Sequence, residues 1–274
     1  MTTAPAPLPT LAPRGRLSLP RVMHSEWTKL RSVRSTMWSF FAALLITIGL
    51  PVLVSLVVST HWDRMSAQDR ASQHPLDFAL VGVFVAQLAI GVLGVLVISS
   101  EYSTGMIRSS LTAVPKRLPM LWAKAAVFGA VTFALSLPAV LLAFFVSQLI
   151  FGSKSILQIS LTDPGVARTL AGGAAYLVLI GLFALGLGTI IRNTAGGIAA
   201  FAAILFVVPP LLLLLPNSWQ NAISPYLPSN AGNSLATLHP TGNSLSPWAG
   251  FFVLIAWVAA ALLIASGLLR RRDA

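Results

Sequence analysis

Cysteine is absent from this 274-residue chain, and charged residues are scarce. Without cysteine, neither a disulfide framework nor a cysteine-ligated metal site can form. Asp, Glu, Lys and Arg together make up only 9% of the residues, whereas hydrophobic residues make up 56%. This balance is far from that of a soluble domain, so the composition predicts an integral membrane protein.

The common catalytic and nucleotide-binding motifs are also missing. The sequence contains no GxxxxGK[ST] P-loop and no Gly-x-Ser-x-Gly elbow. No carboxylate pair falls inside an apolar run, and the four histidines share no metal-ligand spacing: His24, His61, His74 and His239. We therefore expect no catalytic residue, no metal site and no bound cofactor on this chain, which does not read as an enzyme.

Formal charges are missing from four long stretches, residues 35–60, 78–100, 125–153 and 169–191, and from the whole interval between Arg192 and Arg270. Each stretch is long enough for a helix to cross a hydrocarbon core about 30 Å thick. The last interval holds two apolar runs separated by an Asn-, Ser- and Pro-rich segment, 216–247. The runs are apolar on every face, which is typical of helices and not of barrel strands.

The predicted fold class is therefore an all-α integral membrane protein with six transmembrane helices. We place the spans at about 37–59, 78–100, 122–150, 168–191, 195–215 and 248–269. Residues 1–20 contain five prolines and no apolar core of signal-peptide length, so we expect a disordered cytoplasmic tail there. Residues 21–274 are expected to form one transmembrane domain.

The distribution of Lys and Arg predicts the orientation. Alternate flanking segments hold 14 of these residues, and the other side holds four: Arg64, Arg70, Lys154 and Arg168. Because cytoplasmic flanks hold Lys and Arg preferentially, both termini are predicted to be cytoplasmic. The same distribution explains the net charge of +11 without nucleic acid, since the cations lie at span ends and not on one soluble face.

Residues 22–36 are predicted to form an amphipathic interfacial helix before the first span. Met23, Trp27, Leu30, Val33 and Met37 recur every three or four residues. Such a helix suits the headgroup plane, with Trp27 at the interface. The alternative is a simple basic anchor. The candidate residues of this helix are Glu26, Trp27, Lys29, Leu30, Arg31 and Arg34.

Two glutamines fall inside predicted spans. An amide in hydrocarbon needs a partner, so Gln87 and Gln148 each form an interhelical hydrogen bond or line a substrate path. Small residues allow helices to approach closely, and we expect this role for Gly82, Ala86, Gly181, Gly186 and Gly188. Pro51, Pro138 and the Pro209-Pro210 pair are predicted to bend or break their helices.

The charge-free spans lack the ionisable groups by which ion-driven carriers usually bind their coupling ion. This weakens a secondary transporter without excluding one, because sodium can bind to carbonyls and hydroxyls in broken helices. The simpler hypothesis is an external energy source that acts on the chain from outside its spans. Its point of entry would be the segment between spans two and three, where Thr104 can cap a short helix reaching about Val114. From periodicity alone, this helix could dock a partner or lie on lipid.

Glu101 lies at the C-terminal end of span two, where the helix dipole disfavours an anion by about 0.3 to 1 kcal/mol. We therefore expect a cationic partner for Glu101. The hypothesis is that Arg31 or Arg34 supplies it and ties the interfacial helix to the base of the loop.

Three motifs resemble the permease subunits of bacterial ABC-2 type transporters, particularly actinobacterial ones. They are HSEWTKLRSVRSTMW at 24–38, EYSTGMIRSSLTAVPKR at 101–117 and YLPSNAG at 226–232. The first two motifs together are a more specific indication of this family than the third. The resemblance extends over nearly the whole chain after residue 20.

The resemblance implies a plasma-membrane permease subunit that pairs with a second copy or a related permease and binds a separate ATPase subunit. ATP and Mg would bind to that ATPase, and hydrolysis would drive export. Residues 104–114 would be the coupling helix, and 216–247 would carry re-entrant helices. The implied coupling residues are Glu101, Tyr102, Thr104, Gly105, Ile107, Arg108 and Leu111. Gln87 is then a substrate-path candidate, and the cargo does not carry over. The alternatives are an ion-gradient-driven carrier and a non-transporting membrane scaffold.

Overall fold

The computed structural model describes residues 19–103, 117–153, 158–238 and 242–271, and these residues contain no β-strand. Several predicted features lie outside the described residues: most of the N-terminal tail, and the whole of the predicted coupling helix at 104–114. Of the predicted coupling residues, this applies to Thr104, Gly105, Ile107, Arg108 and Leu111.

The described part of the chain contains eleven α-helices. They are α1 Leu19–Ser32, α2 Arg34–His61, α3 Ala67–Ala71, α4 Pro75–Ser103, α5 Arg117–Gly152, α6 Val166–Ile191, α7 Thr194–Ala202, α8 Val208–Leu212, α9 Asn217–Ile223, α10 Pro228–Leu235 and α11 Pro247–Arg271. A π-helical turn, Ala203–Val207, joins α7 to α8.

Six helical segments are long and apolar enough to cross a membrane: α2, α4, α5, α6, α7 with α8, and α11. The described residues thus contain the predicted number of helices that are long and apolar enough to span a membrane. The helices extend past the charge-free stretches, however, so that Glu101 and Lys124 lie within helices α4 and α5 near their ends. The middle parts of the spans therefore carry no formal charge, but these two helix ends do.

Helices α4 and α6 form the centre of the bundle, and α2, α5 and α11 pack around them. Close approach at the centre depends on small residues. A β-carbon added at Gly94 of α4 would lie 2.3 Å from the carbonyl oxygen of Gly181 in α6, and one added at Gly186 would lie 2.7 Å from Ala261 Cβ in α11. The predicted role of small residues in packing is thus confirmed at Gly181 and Gly186.

Pro51 and Pro138 lie inside helices and do not end them, whereas Pro209 and Pro210 lie in the first turn of α8. Pro51 is within α2, and its ring packs against Gly82 of α4, where an added β-carbon would lie 2.7 Å from Pro51 Cδ. Pro138 lies within α5. Ahead of Pro209 and Pro210 the backbone switches to the π-helical turn, a common accommodation of disrupted helical hydrogen bonding.

The first helix differs from the predicted one. Helix α1 covers Leu19–Ser32 and not residues 22–36, because Val33 adopts an extended conformation (φ −86°, ψ 111°) and separates α1 from α2. Of the predicted apolar stripe, Met23 and Trp27 are exposed and Leu30 is buried, while Val22, Glu26 and Leu30 form the buried face of α1.

The segment between the last two spans contains α9, a 3₁₀ turn and α10. Helix α10 packs against α6 and α11. A β-carbon added at Gly232 would lie 1.9 Å from the ring of Tyr176 in α6. Helix α10 is therefore an integral part of the bundle.

Candidate functional site

Helix α1 places a carboxylate on its buried face. Val22, Glu26 and Leu30 follow one another at intervals of four, so they share one side of the helix. That side packs against α5 and, to a lesser extent, α2. Glu26 is only 3% exposed, and a buried carboxylate needs charged or hydrogen-bonding partners.

Two lysines supply those partners, and a second carboxylate shares them. Lys124 Nζ lies 2.5 Å from Glu26 Oε2 and 2.9 Å from Glu101 Oε1. Lys29 Nζ lies 2.8 Å from Glu26 Oε1 and 3.1 Å from Glu101 Oε1. We call these four residues the ion cluster. Each lysine bridges both carboxylates, so the four side chains form a closed ring of alternating charge.

The ion cluster is electrically neutral and mostly inaccessible to water. Glu26, Glu101 and Lys124 are buried, while the Lys29 side chain keeps 27% of its exposure. Charges brought out of water are tolerated only when they are paired in good geometry, as they are here. One atom remains unmatched: Glu101 Oε2 is buried and accepts no hydrogen bond from the described residues.

Titration in helix α1 reflects this pairing. Burial acts to raise the pKa of Glu26, but the charges and hydrogen bonds of Lys124 and Lys29 outweigh burial and hold that pKa below its ordinary value. Burial likewise acts to lower the pKa of Lys29, and Glu26 and Glu101 outweigh it, so the pKa is raised. Both groups are therefore charged throughout the neutral range.

The ion cluster joins three parts of the chain that are distant in sequence. Glu26 and Lys29 belong to α1, Glu101 lies near the end of α4, and Lys124 lies near the start of α5. Helices α4 and α5 are the two elements that flank residues 104–116. The cluster therefore fixes α1 to both ends of that segment at one end of the bundle, which we call the cluster face.

A second set of contacts lies next to the cluster on the same face. The guanidinium carbon of Arg192 stands 5.2 Å from the centre of the Tyr102 ring, a cation–π distance. Thr194 donates a hydrogen bond to Ser99 at 2.8 Å. These contacts attach the end of α4 to the junction between α6 and α7. Arg192 has a left-handed backbone (φ 57°) that turns the chain sharply at this junction.

The structure brings together some of the predicted site residues and separates others. Glu101 has the expected cationic partner, but that partner is Lys124 together with Lys29; the predicted pairing with Arg31 or Arg34 is wrong. Both arginines are exposed. Arg31 follows the buried Leu30 in α1, and Arg34 is the first residue of α2. Of the other candidate residues of α1, Trp27 is 45% exposed and Leu30 is buried.

Lys124 is the residue that sequence reasoning missed, because a lysine at a span end is typical of a topology signal. A usable indication was present nonetheless. Glu26 is flanked at four residues on either side by Val22 and Leu30, so an acid occupies a stripe that otherwise faces the core. An acid in that position requires a buried cation from another element, and Lys124 is the cation nearest the start of the third span.

Gln87, the candidate for a substrate path, is buried and fully engaged. Its Oε1 accepts a hydrogen bond from the hydroxyl of Tyr176 in α6, and its Nε2 donates to the carbonyl of Phe84 at 2.6 Å. The interhelical hydrogen bond given above as one alternative is therefore present. Gln148 binds locally instead, since its Oε1 accepts from the backbone N–H of Ile159 at 3.0 Å.

These features describe a buried ion-pair site that joins helices α1, α4 and α5. Within the described residues, no three His, Asp or Glu side chains gather as metal ligands would. Six long apolar helices define the chain as a multi-pass helical membrane protein. No family model and no curated protein sequence matches it.

Proposed function

We propose that the chain is the membrane-spanning permease subunit of an ABC-2 type exporter, in which a separate ATPase subunit supplies the energy. The observation that carries the proposal is the ion cluster. It fixes α1 to the two helices that flank residues 104–116, the segment whose sequence resembles a coupling element. A force applied to that segment by a partner would reach α1, α4 and α5 together.

The orientation proposed for the chain is that the cluster face lies in the cytoplasm of a bacterial cell. The described cations on that face outnumber those at the opposite end, where Arg64, Arg70 and Arg168 lie. Helix α1 is at the cluster face, and α11 runs parallel to α6 and ends there with Arg270 and Arg271. This arrangement supports cytoplasmic termini through the preference of Lys and Arg for the cytoplasmic side of the plasma membrane.

Helix α1 is proposed to lie along the membrane surface. One side of it packs on the bundle through Val22 and Leu30, while Leu19, Met23 and Trp27 form an exposed apolar row at intervals of four. Such a row suits the boundary between headgroups and acyl chains. By the same proposal, the segment containing α9 and α10 enters the opposite leaflet from outside.

A second permease copy, or a related permease, is proposed to complete the transporter. The fifth span supports this idea, because only 17% of the residues in its most apolar window are buried, against 61% in α6. A large part of this span is therefore left for lipid or for another subunit. If Gln87 contacts cargo, it must first separate from Tyr176, so cargo passage would require α4 and α6 to shift relative to each other.

The test is co-purification of the tagged full-length chain with an ATPase subunit encoded beside it. We expect the two to be isolated together, with ATP hydrolysis in the purified complex. Lys124→Met should weaken the stimulation of hydrolysis by the permease, whereas Arg31→Met, which removes an exposed cation of α1, should not. Failure to retain any ATPase would overturn the proposal.

Two further results would favour the alternatives. Uptake or release by reconstituted chain without ATP would indicate a carrier driven by an ion gradient. A cellular phenotype that depends on residues 104–116 but survives obstruction of the spans would indicate a scaffold.

A further inference from the structure

A groove lies between α6 and α11 at the end of the bundle opposite the cluster face. Its volume is about 320 Å³, at the small end of the range for ligand pockets. Ala171, Gly172 and Ala175 of α6 form its floor, and Trp248 and Phe251 of α11 form its wall. The floor consists of small side chains, which leave room between the helices, and the wall is aromatic. The surface is thus apolar and elongated along the helices.

The groove opens at the outside of the bundle. Ala171 and Trp248 are exposed, with Trp248 at 65%, and they lie in the first two turns of two membrane-spanning helices. In a membrane these turns stand where the hydrocarbon meets the headgroups, the level at which Trp is enriched. An acyl chain can therefore enter the groove directly from the bilayer.

One charged residue lies at the end of the groove, and it has no counter-ion within the described residues. Arg168 donates through Nη2 to the carbonyl of Thr237 at 3.2 Å and to Thr169 Oγ1 at 3.1 Å. Its Nη1 is buried and has no hydrogen-bond partner among the described residues. Both Nη2 acceptors are neutral. A half-buried guanidinium at a span end, with an unused donor, is expected to attract an anion.

The backbone holds Arg168 at this place. Gly165 adopts φ +85° directly before α6, which lets the helix begin abruptly at Val166. The carbonyl of Thr237 follows α10, whose Leu235 packs against Gly172 so closely that an added β-carbon would lie 2.3 Å from the Leu235 oxygen. The guanidinium is thus positioned by three elements of the fold and is not a freely rotating surface side chain.

We propose that this groove is a binding site for an anionic phospholipid, with one acyl chain on the Ala171, Gly172 and Ala175 floor and the phosphate paired with Arg168. The apolar groove alone fits any acyl chain, and the uncompensated guanidinium selects a lipid with net negative charge. The site is independent of the proposed transport function. Only its assignment to the outer leaflet depends on the orientation proposed above.

The test uses full-length protein in vesicles of phosphatidylcholine containing a minor fraction of a lipid brominated on its acyl chain. The brominated lipid is phosphatidylglycerol in one series and phosphatidylcholine in the other. Bromine quenches nearby tryptophan fluorescence, and the signal of Trp248 is obtained as the difference between wild type and Trp248→Phe. We expect phosphatidylglycerol to occupy the site about fivefold to tenfold more strongly than phosphatidylcholine at equal fractions.

Variants separate the headgroup contact from the acyl contact. Arg168→Gln should abolish the preference for phosphatidylglycerol, and Arg168→Lys should keep most of it. Arg64→Gln, which removes an exposed cation from the same end of the bundle, should leave it unchanged. Ala171→Leu fills the floor from the exposed side, so it should reduce quenching by both lipids.

Two results would overturn the proposal. One is equal quenching of Trp248 by the two lipids in wild type, and the other is an unchanged preference in Arg168→Gln. Unchanged quenching in Ala171→Leu would remove the acyl chain from the groove and would overturn it as well. Native mass spectrometry provides a second readout, in which wild type should retain more phosphatidylglycerol adduct than Arg168→Gln.

Discussion

Lys124 and Glu26 are 98 positions apart in the sequence and form a 2.5 Å ion pair in which both side chains are almost completely buried. This pair shows that helix α1 is attached to the bundle. A helix that merely lies on lipid would keep its charges in water, whereas α1 directs one carboxylate into the bundle. The energetics of such a pair are asymmetric, since removing one partner leaves the other charge buried and uncompensated.

The first prediction concerns the loss of that cation. Lys124→Met keeps most of the side-chain volume but leaves two carboxylates with only Lys29 between them. We expect the free energy of unfolding to fall by about 3 to 5 kcal/mol, the range found for breaking buried ion pairs. Thermal unfolding of purified protein in detergent measures the change.

Arg31→Met is the matched control, because it removes an exposed cation from the same helix and should change stability by less than about 0.5 kcal/mol. The double variant Glu26→Gln with Lys124→Met leaves Lys29 with Glu101 as a simple pair. It should be more stable than Lys124→Met alone. Equal unfolding midpoints for Lys124→Met and Arg31→Met would contradict the role assigned to the ion cluster.

The second prediction is a pH dependence with a defined sign. The pKa of Glu26 is lowered by folding, so its contribution is present above its ordinary value of 4.5 and is lost as the pH falls through the lower folded-state value. The pKa of Lys29 is raised, so its contribution is present below its ordinary value of 10.5 and is lost as the pH rises through the higher folded-state value. Stability should therefore be level between these limits with respect to both groups.

Unfolding midpoints measured across pH in wild type and Glu26→Gln test this dependence. The variant should be less stable than wild type at neutral pH, and the difference should shrink as the pH falls from 4.5 through the lower folded-state value, below which the native carboxyl group is protonated and resembles the amide. A difference that stays constant on acidification would show that the ionised form of Glu26 contributes nothing.

The spans were predictable from the sequence because hydrophobic length depends only on local composition. Residues 169–191, for example, are apolar without interruption and form α6 almost to the residue. The break at Val33 was not predictable in the same way. Valine has no special backbone preference for ending a helix, and the helix before the break packs against α5, a tertiary contact that local composition does not specify.

The candidate site was predictable only in outline. The unfavourable position of Glu101 at a helix end indicated a cationic partner, and that expectation is confirmed. The cation that pairs with Glu101 can be chosen only if the rotation of α1 about its own axis is known. The candidates are Lys29, Arg31, Arg34 and Lys124. Glu26 determines that rotation, but a helix with apolar residues on two faces, Val22 with Leu30 and Met23 with Trp27, leaves it ambiguous in the sequence.

The third prediction concerns the hydrogen bond between Tyr176 and Gln87. Tyr176→Phe removes the hydroxyl and leaves Gln87 Oε1 buried without its donor, so we expect a loss of about 1 to 3 kcal/mol. Gln87→Leu should cost a similar amount, because it leaves the Tyr176 hydroxyl unpartnered. The double variant removes both polar groups and should be more stable than the sum of the two losses predicts.

The same variants distinguish packing from contact with cargo. If Gln87 serves only the bond to Tyr176, any functional assay should respond equally to Tyr176→Phe and Gln87→Leu. An effect of Gln87→Leu on function, with stability and function intact in Tyr176→Phe, would instead assign Gln87 to a path through the membrane.

The fourth prediction concerns the seat of α10 on the bundle. An alanine at position 232 would bring its β-carbon to 1.9 Å from Cε2 of Tyr176, and Tyr176 is fully buried, so its ring has no open side to move into. We expect Gly232→Ala to lower the free energy of unfolding by about 1 to 3 kcal/mol through overpacking.

Gly49→Ala in α2 is the control, because no atom lies within 4 Å of the added carbon and the change should be neutral or stabilising by about 0.4 to 1 kcal/mol. Thermal unfolding of both variants makes the comparison. If Gly232→Ala were as stable as Gly49→Ala, α10 would not be seated against Tyr176, and the segment between the last two spans would be only loosely attached to the bundle.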